Sequence, residues 1–501
     1  MSRTSDSKTF YDGSKSPLVF RVGPLLVDFT RAKWEPGLWP QSFEIYDIPG
    51  GWAKVFDKLH SGQLVNTTEK RAALHTATRG YKVPDFDAGG NPVKDLIIEN
   101  DNKMKDLVER IRKSNQYENI IHVGIGGSSL GPDLVIESLS YSHDGLYEVR
   151  FLTNIDYHVF KKTIKHLRPK STLIVVASKS WSTDETQTNL NLLREWFLDD
   201  PEARFEEQTV VVTSCPEKAA EDGFLEENTL VIGQWVGGRF SVWSPVGVTI
   251  ALQYGWETFE SFRKGGRLVD EHVEKAGDDP SAPVISALLG ISYVDDYQSP
   301  TRAVIPYDGR LGKLVPYLQQ LEMESTGKQV TANGNWYSGP TSPVVWGGIG
   351  TESQHSFFQW LHQSSSWCPV EFLMVATPDH DKMEVHNKLL SNCLAQASTL
   401  MDGHENLDNL SYHHEGNLPS TTILIDKLTA ESIGSLIAFY EYRVYAMSVL
   451  MGINCFDQMG VELGKTVSRK VEPFLQGEDP FGLDQDTGSV VHNIIDMRKQ
   501  I

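Results

Sequence analysis

The run Asn119-Ile-Ile-His-Val-Gly-Ile-Gly-Gly-Ser-Ser-Leu-Gly-Pro132 reads as a strand, a glycine-rich turn and a helix start in succession. Asn119–Val123 is short, apolar and rich in β-branched residues, as a strand buried on both faces must be. The glycines that follow let the backbone turn sharply and approach a ligand, and Pro132 suits the first turn of a helix. The same alternation recurs on either side. Val149–Thr153, Thr172–Ala177 and Thr209–Thr213 read as further strands, with Thr186–Leu198 as an amphipathic helix between two of them. Later, Thr301–Pro306, Val370–Ala376 and Thr421–Asp426 read as strands, Ser353–Ser364 and Lys382–Leu394 as helices, and Thr429–Gly452 as a long apolar helix. Strands joined through helices need crossover connections, so the sheets should be parallel. The expected fold class is α/β, in two blocks. Ala276–Pro283, rich in Asp, Gly and Pro, is the natural boundary between them. The expected organisation is a mostly helical N-terminal extension (1–80), a first α/β domain (81–276), a second (284–465) and a C-terminal arm (466–501). The arm reads as irregular after Lys465 and helical near Val490.

Composition excludes several function classes. The chain has 501 residues and a formal net charge of −20. Such an acidic surface does not suit a general nucleic-acid binder or docking on an anionic membrane. It leaves room for a small anionic substrate held by local N–H groups, Lys and Arg. The four cysteines, Cys215, Cys368, Cys393 and Cys455, form no C-x-x-C pair. Neither a thiolate zinc site nor a disulfide framework is expected, and a reducing compartment is. Met1–Pro17 is polar and lacks the apolar core of a secretory signal. No run reaches the roughly 18 apolar residues of a membrane span, so the expected location is the cytoplasm.

Six segments carry candidate chemistry. Val123–Pro132 presents a helix N-terminus suited to phosphate. A dinucleotide fingerprint would need glycine where Ser129 stands. Gly127-x-Ser129-x-Gly131 also fits a nucleophile elbow, which would make Ser129 a hydrolase nucleophile. Ser178-Lys-Ser-Trp-Ser-Thr-Asp-Glu-Thr186 offers hydroxyls and a lysine between strand and helix, for phosphate oxygens or for N-capping. In Gly237-Gly-Arg-Phe-Ser-Val-Trp-Ser-Pro-Val-Gly247 the glycines free the backbone to place Arg239 against a developing oxyanion. The alternative there is a solvated surface turn. In Gln319-Gln-Leu-Glu-Met-Glu-Ser-Thr-Gly-Lys328, Gln320 and Glu324 are i, i+4 and should share a helix face, with Glu322 on another. A partly desolvated carboxylate beside neutral amides can act as a base. His355, in Gly350–Phe357, begins an amphipathic stretch and can trade protons near neutrality, with His362 as a structural neighbour. Gln458 and Lys465 are i, i+7, two helical turns apart on a similar face. His380, Asp381, Glu384 and His386 also cluster, but without helical zinc spacing, and read as a solvated helix start.

In this order the segments resemble the glucose-6-phosphate isomerase (phosphoglucose isomerase) family. The patterns that carry the resemblance are Gly237-Gly-Arg-Phe-Ser-x-x-Ser-Pro-x-Gly247 and Phe456-Asp-Gln-x-Gly-Val-Glu-x-x-Lys465. Gln-Gln-x-Glu-Met-Glu-Ser-x-Gly-Lys, ending at Lys328, and Gln354-His355-Ser-Phe357 lie between them. The resemblance implies two sugar-isomerase (SIS) type domains, each a five-stranded parallel sheet flanked by helices. It implies interconversion of glucose 6-phosphate and fructose 6-phosphate through a cis-enediolate, with no metal or cofactor. Gly127, Ser128, Ser178, Lys179, Ser180 and Thr183 would hold the phosphate. Glu324 would move the proton between C1 and C2, and Arg239 would stabilise the enediolate. His355 and Lys465 would assist ring opening, Gln320 and Gln458 would contact substrate, and Glu185 would orient the histidine. The resemblance also implies a homodimer in which the neighbouring subunit supplies the histidine.

Some residues depart from the family pattern. Ser129 stands where Asp is common, Ser180-Trp181-Ser182 replaces Thr-Phe-Thr, and Asp184 replaces Gln. Met459 stands where Trp is frequent and Ser353 where Gly is frequent. The hydroxyls survive, so phosphate binding should too, and Trp181 is expected to reshape the pocket wall. Two rivals remain at this level. A sugar-phosphate sensor on the same domains would bind without turnover, and a serine hydrolase would need Ser129 as nucleophile.

Overall fold

The β-branched runs that mark the first α/β block form strands at the expected places. The computed structural model describes residues 18–33, 48, 50–339, 341–477 and 482–500; the expectation for Met1–Pro17 lies outside them. Among the described residues the strands are β1 (Val19–Val22), β2 (Leu25–Asp28), β3 (Asn119–Val123), β4 (Glu148–Leu152), β5 (Thr172–Ala177), β6 (Thr209–Thr213), β7 (Thr229–Val231), β8 (Thr301–Pro306), β9 (Val344–Gly347), β10 (Val370–Thr377) and β11 (Ser420–Lys427). The first sheet has the order β4-β3-β5-β6-β7 and every neighbouring pair is parallel. Both faces of β3, β5 and β6 are buried, which is why each reads as a continuous apolar run. Ile174, Val176, Leu190 and Leu193 fill one side of that sheet, and burying each such side chain contributes ~1.5–3 kcal/mol.

The second sheet has the order β1-β2-β11-β10-β8-β9. β11, β10, β8 and β9 are parallel, and the β1–β2 hairpin adds antiparallel to β11. The segment 1–80 was expected to be mostly helical. Its described part supplies this hairpin as well as the helices Gly51–His60 and His75–Thr78.

Two long helices form the interior. Trp256–Ala276 and Ala430–Met451 cross where Gly265 and Gly434 face the partner helix; a Cβ added at either would strike the other's backbone. The second helix starts in a Thr429–Ser432 capping box and ends at Gly452 in the left-handed region (φ 64°). Beside the crossing lies a buried polar network. Arg79 Nε donates to Asp270 at 2.8 Å, Arg79 Nη1 to Glu441 at 2.6 Å, and Trp243 Nε1 to Glu441 at 2.8 Å.

Residues up to Cys455 form one compact unit and residues 456–501 another. The second unit holds the helices Glu462–Leu475 and Gln485–Lys499. The tail is therefore helical directly after Lys465, where irregular chain was expected. Among the described residues no helix is long and apolar enough to cross a membrane.

Candidate active site

Loops after β3, β5 and β7 leave the carboxyl ends of strands in the first parallel sheet, where open α/β sheets place ligands. After β3, Gly126 takes φ 55° and the chain makes a short 3-10 turn, Gly126–Ser128, before the helix Leu130–Leu139. His122, wholly buried in β3, fixes this turn. Its Nε2 lies 2.7 Å from the Ser128 carbonyl and its Nδ1 2.7 Å from Thr249 Oγ1. The carbonyl only accepts, so Nε2 carries the proton. Burial holds the ring neutral, with its pKa down at about 4. Ser129 is buried and donates to the Gly126 carbonyl at 3.2 Å. That geometry does not present a nucleophile and sets the hydrolase reading aside.

The glycine turn presses directly on the Gly237-Gly238-Arg239 turn. A Cβ at Gly127 would overlap the backbone of Gly238 and Arg239, and Ser241 Oγ donates to the Gly127 carbonyl at 3.3 Å. This contact requires glycine and places Arg239 in the interior, so the surface-turn alternative fails. The loop after β5 joins from the other side. Ser178 N–H extends the sheet to the Val212 carbonyl at 3.0 Å, and its buried Oγ has no hydrogen-bond partner. Lys179 Nζ donates to the Gln234 and Val236 carbonyls at 2.9 and 2.8 Å, just ahead of the Gly237 turn. Burial lowers its pKa to about 8. Ser180 is exposed and accepts from Ser182 Oγ at 3.0 Å. Thr183 holds the N-cap position of the helix Asp184–Phe197 without capping it through its side chain. Trp181, at φ 53°, turns inward, packs edge-on against Phe224 and donates from Nε1 to Asp222 at 2.7 Å. It belongs to the core of the first sheet, and the expected pocket-wall role is corrected.

Gln319–Glu324 is a π turn rather than a stretch of α-helix. Such turns are rare and gather at functional sites. Gln320 and Glu324 both reach the glycine turns, as expected of a shared face. A Cβ at Gly126 would stand 2.7 Å from Gln320 Nε2. Glu324 Oε2 lies 3.4 Å from Arg239 Nη1, and the two side chains are 22% and 2% exposed. Arg239 is held by Ser325 Oγ at 2.6 Å from its Nε and by the Cys455 carbonyl at its Nη2. A fixed buried cation thus faces a partly open carboxylate.

Sequence reasoning missed the supports of this pair. Ser325 stood inside the quoted motif and could have been noticed. The Cys455 carbonyl, 216 positions from Arg239, could not. Glu322, set aside as lying on another face, is fully buried. Arg302 donates to its Oε2 at 2.6 Å, and Arg443 donates to the same oxygen. Burial alone would push its carboxyl up, but the two guanidiniums outweigh that and hold it below the usual range.

The remaining candidates have surroundings of their own. His355 is exposed at the C-cap of the short helix Gly350–Gln354, and a second helix, Phe358–Gln363, starts after a break. The single helix expected over Ser353–Ser364 is thus interrupted at the histidine. Its expected neighbour His362 pairs instead with Gln396 at 2.8 Å. Among the described residues no hydrogen bond or ion pair joins Glu185 to His355. In the second unit, Gln458 precedes a 3-10 turn, Met459–Val461, so it and Lys465 do not sit on one continuous helix as expected. Lys465 Nζ pairs with Glu462 at 2.8 Å. Of the cluster read as a solvated helix start, His386 is buried and lies 3.3 Å from the Ala376 carbonyl.

Comparison with known proteins fits this geometry. The profile of phosphoglucose isomerase matches residues 50–491. The chain belongs to the phosphoglucose isomerase family. It is 40% identical over 474 residues to a glucose-6-phosphate isomerase of Rhizorhabdus wittichii, covering 93% of this chain and 91% of that one. It is 41% identical over 418 residues to the enzyme of the same name from Novosphingobium aromaticivorans, covering 83% and 80%. The crystal structure of a glucose-6-phosphate isomerase from Chlamydia trachomatis superposes with a TM-score of 0.87 at 28% identity, covering 96% of this chain and 93% of that one. A hypothetical protein from Thermus thermophilus shares the fold, with a TM-score of 0.67 at 21% identity and coverage of 89% and 99%.

Proposed function

We propose that this chain interconverts D-glucose 6-phosphate and D-fructose 6-phosphate through a cis-enediolate, in glycolysis and gluconeogenesis. The observation that carries this reading is the Glu324–Arg239 pair: a partly open carboxylate 3.4 Å from a buried guanidinium fixed by two further partners. A sugar hydrogen α to a carbonyl is weakly acidic. Removing it needs a base on one face and positive charge at the oxygen. Glu324 supplies the base and carries the proton between C1 and C2. Arg239 supplies the charge, aligned in advance and shielded from water. Acid–base groups suffice for this reaction, and no cofactor enters the scheme.

Gly127, Ser128, Ser178, Lys179, Ser180 and Thr183 hold the phosphate. The free N-terminus of the helix Asp184–Phe197, uncapped by Thr183, supports that assignment. Binding the remote phosphate orients the reacting carbons. Gln320 and Gln458 contact the sugar, and His355 and Lys465 open the ring. His355 is exposed and unpaired with Glu185 in its own chain, as suits a residue given to a neighbouring subunit. The working assembly is therefore a cytoplasmic homodimer with shared active sites, in which Glu185 orients the partner's histidine.

The test is a coupled assay with fructose 6-phosphate as substrate and glucose 6-phosphate dehydrogenase as reporter. Wild type turns over in the presence of EDTA. Glu324→Gln loses at least the ~10²–10⁴-fold of a general base while keeping sugar-phosphate affinity. Wild-type turnover in Glu324→Gln would sink the assignment, and binding without turnover in the wild type would favour a sensor.

A further inference from the structure

The residues that grip Glu322 have no part in the chemistry above, yet they converge on the turn that carries Gln320 and Glu324. In the π turn the backbone leaves the regular α ladder, so side-chain anchors decide where its carboxylates point. Glu322 stands midway between Gln320 and Glu324 and is fully buried. Two cations from separate elements meet on one of its oxygens: Arg302 of β8 at 2.6 Å, and Arg443 of the helix Ala430–Met451. The Glu322 carbonyl also accepts from Thr326 Oγ1 at 2.8 Å. Besides the Glu324–Arg239 pair, the turn is held by neutral, lighter grips: Gln319 Nε2 on the Val345 carbonyl at 3.0 Å, and Val345 N–H on Met323 Sδ at 3.4 Å.

Stability alone explains this arrangement poorly. Glu322 Oε1 and Arg302 Nε are buried without hydrogen-bond partners. Buried ion pairs are often no more stabilising than apolar residues of the same volume, and an incompletely satisfied network is worse. What the network does supply is direction. Arg302 also binds Glu371 at 3.0 Å, so the two arginines and two glutamates balance in charge. They tie the π turn to a sheet strand and to the central helix together.

We propose that Glu322 is a positioning residue for proton transfer: its pairing with Arg302 and Arg443 fixes the π turn so that Glu324 meets the substrate carbon. The proposal rests on Glu324 as the base. Loss of the anchor lets the turn relax, and a misplacement on the order of 1 Å costs about 10²-fold in rate. The phosphate loops lie on other elements and keep their hold on the substrate; only the sugar contact from Gln320, on the same turn, moves with it, so affinity falls less than rate.

The test measures kcat, KM and the kinetic isotope effect on kcat with glucose 6-phosphate deuterated at C2, on the full chain. Glu322→Gln should lower kcat roughly 10–100-fold, raise KM by a smaller factor than it lowers kcat, and raise the isotope effect because proton transfer becomes slower than the other steps. Glu322→Asp and Arg443→Lys, which keep the charges and shorten or reshape one partner, serve if Glu322→Gln does not fold. They should show the same signature in weaker form. Asp270→Asn, in the network around Arg79, should lower thermal stability with an unchanged isotope effect. A fall in kcat at constant isotope effect in every Glu322 and Arg443 variant would reduce the network to a structural one and overturn the proposal, as would unchanged kcat. Glu324→Gln, run alongside, separates the failures: if it keeps its turnover, the underlying reading has failed first.

Discussion

Gly127→Ala puts the contact between the two glycine turns under direct strain. The new methyl would overlap the backbone of Gly238 and Arg239. No flexible side-chain end can swing away there, so the turns themselves must part by on the order of 1 Å. Overpacking of this kind costs ~1–3 kcal/mol. At ~2–4 °C per kcal/mol for domains of some 150–250 residues, Tm should fall by roughly 2–12 °C. Arg239 follows its own turn, and a displacement of that size at the enediolate should cost about 10²-fold in kcat. Gly238→Ala is the internal comparison. It lies in the opposing turn, but its added methyl meets nothing within 4 Å, and its φ is not in the left-handed region. That variant should hold or gain Tm, through the ~0.4–1 kcal/mol of reduced unfolded-state freedom. The assays are thermal denaturation and the coupled isomerase reaction on both variants. Wild-type Tm and kcat in Gly127→Ala, or an equal loss of Tm in Gly238→Ala, would refute the close-contact reasoning.

Arg239→Lys keeps the charge but cannot reach Ser325, the Cys455 carbonyl and Glu324 together. Steady-state kinetics should show kcat lowered ~10²–10³-fold, as for one lost oxyanion donor, and denaturation should show ~1–3 kcal/mol lost for each buried partner left unpaired. Lys179 titrates near 8 because burial disfavours its charged form. It is cationic below that pH and neutral above it, so kcat/KM for a phosphate dianion should fall as pH rises through about 8. In Lys179→Gln the value should be low throughout, without that fall; a wild-type profile in the variant would remove Lys179 from the phosphate site.

The strands marked most exactly in the sequence are those the fold buries on both faces or nearly so. β3, β5 and β6 are buried along their whole length and β8 at all but its first residue, so each is mostly apolar, and all four coincide with runs marked in the sequence. The strands that went unread carry less signal. β7 has three residues and β9 four. The β1–β2 hairpin pairs with β11 across most of the chain, and nothing near Val19 announces that partner. The break at His355 was hidden for another reason. No Gly or Pro marks it, and the apolar spacing of Ser353–Ser364 runs through it. Trp181 misled because a sequence does not say which way a side chain at φ 53° will point.

Glu322 and Glu324 show where legibility ends. They sit two positions apart in one motif, with the same side chain and different surroundings. Arg302 lies 20 positions from Glu322 and Arg443 lies 121; Arg239 lies before both glutamates, on the far side of the domain boundary expected at Ala276–Pro283. Only folding brings these cations to one turn, and it divides them unequally. Glu322 receives two guanidiniums in full burial, which locks it as an anion and leaves it no path to a substrate. Glu324 receives one guanidinium at 3.4 Å and keeps part of its surface open. A carboxylate that must accept and return a proton needs that looser grip, because each added cation would make the proton harder to hold. The motif supplies two carboxylates, and the distribution of arginines leaves Glu324, not Glu322, open to the role proposed for it.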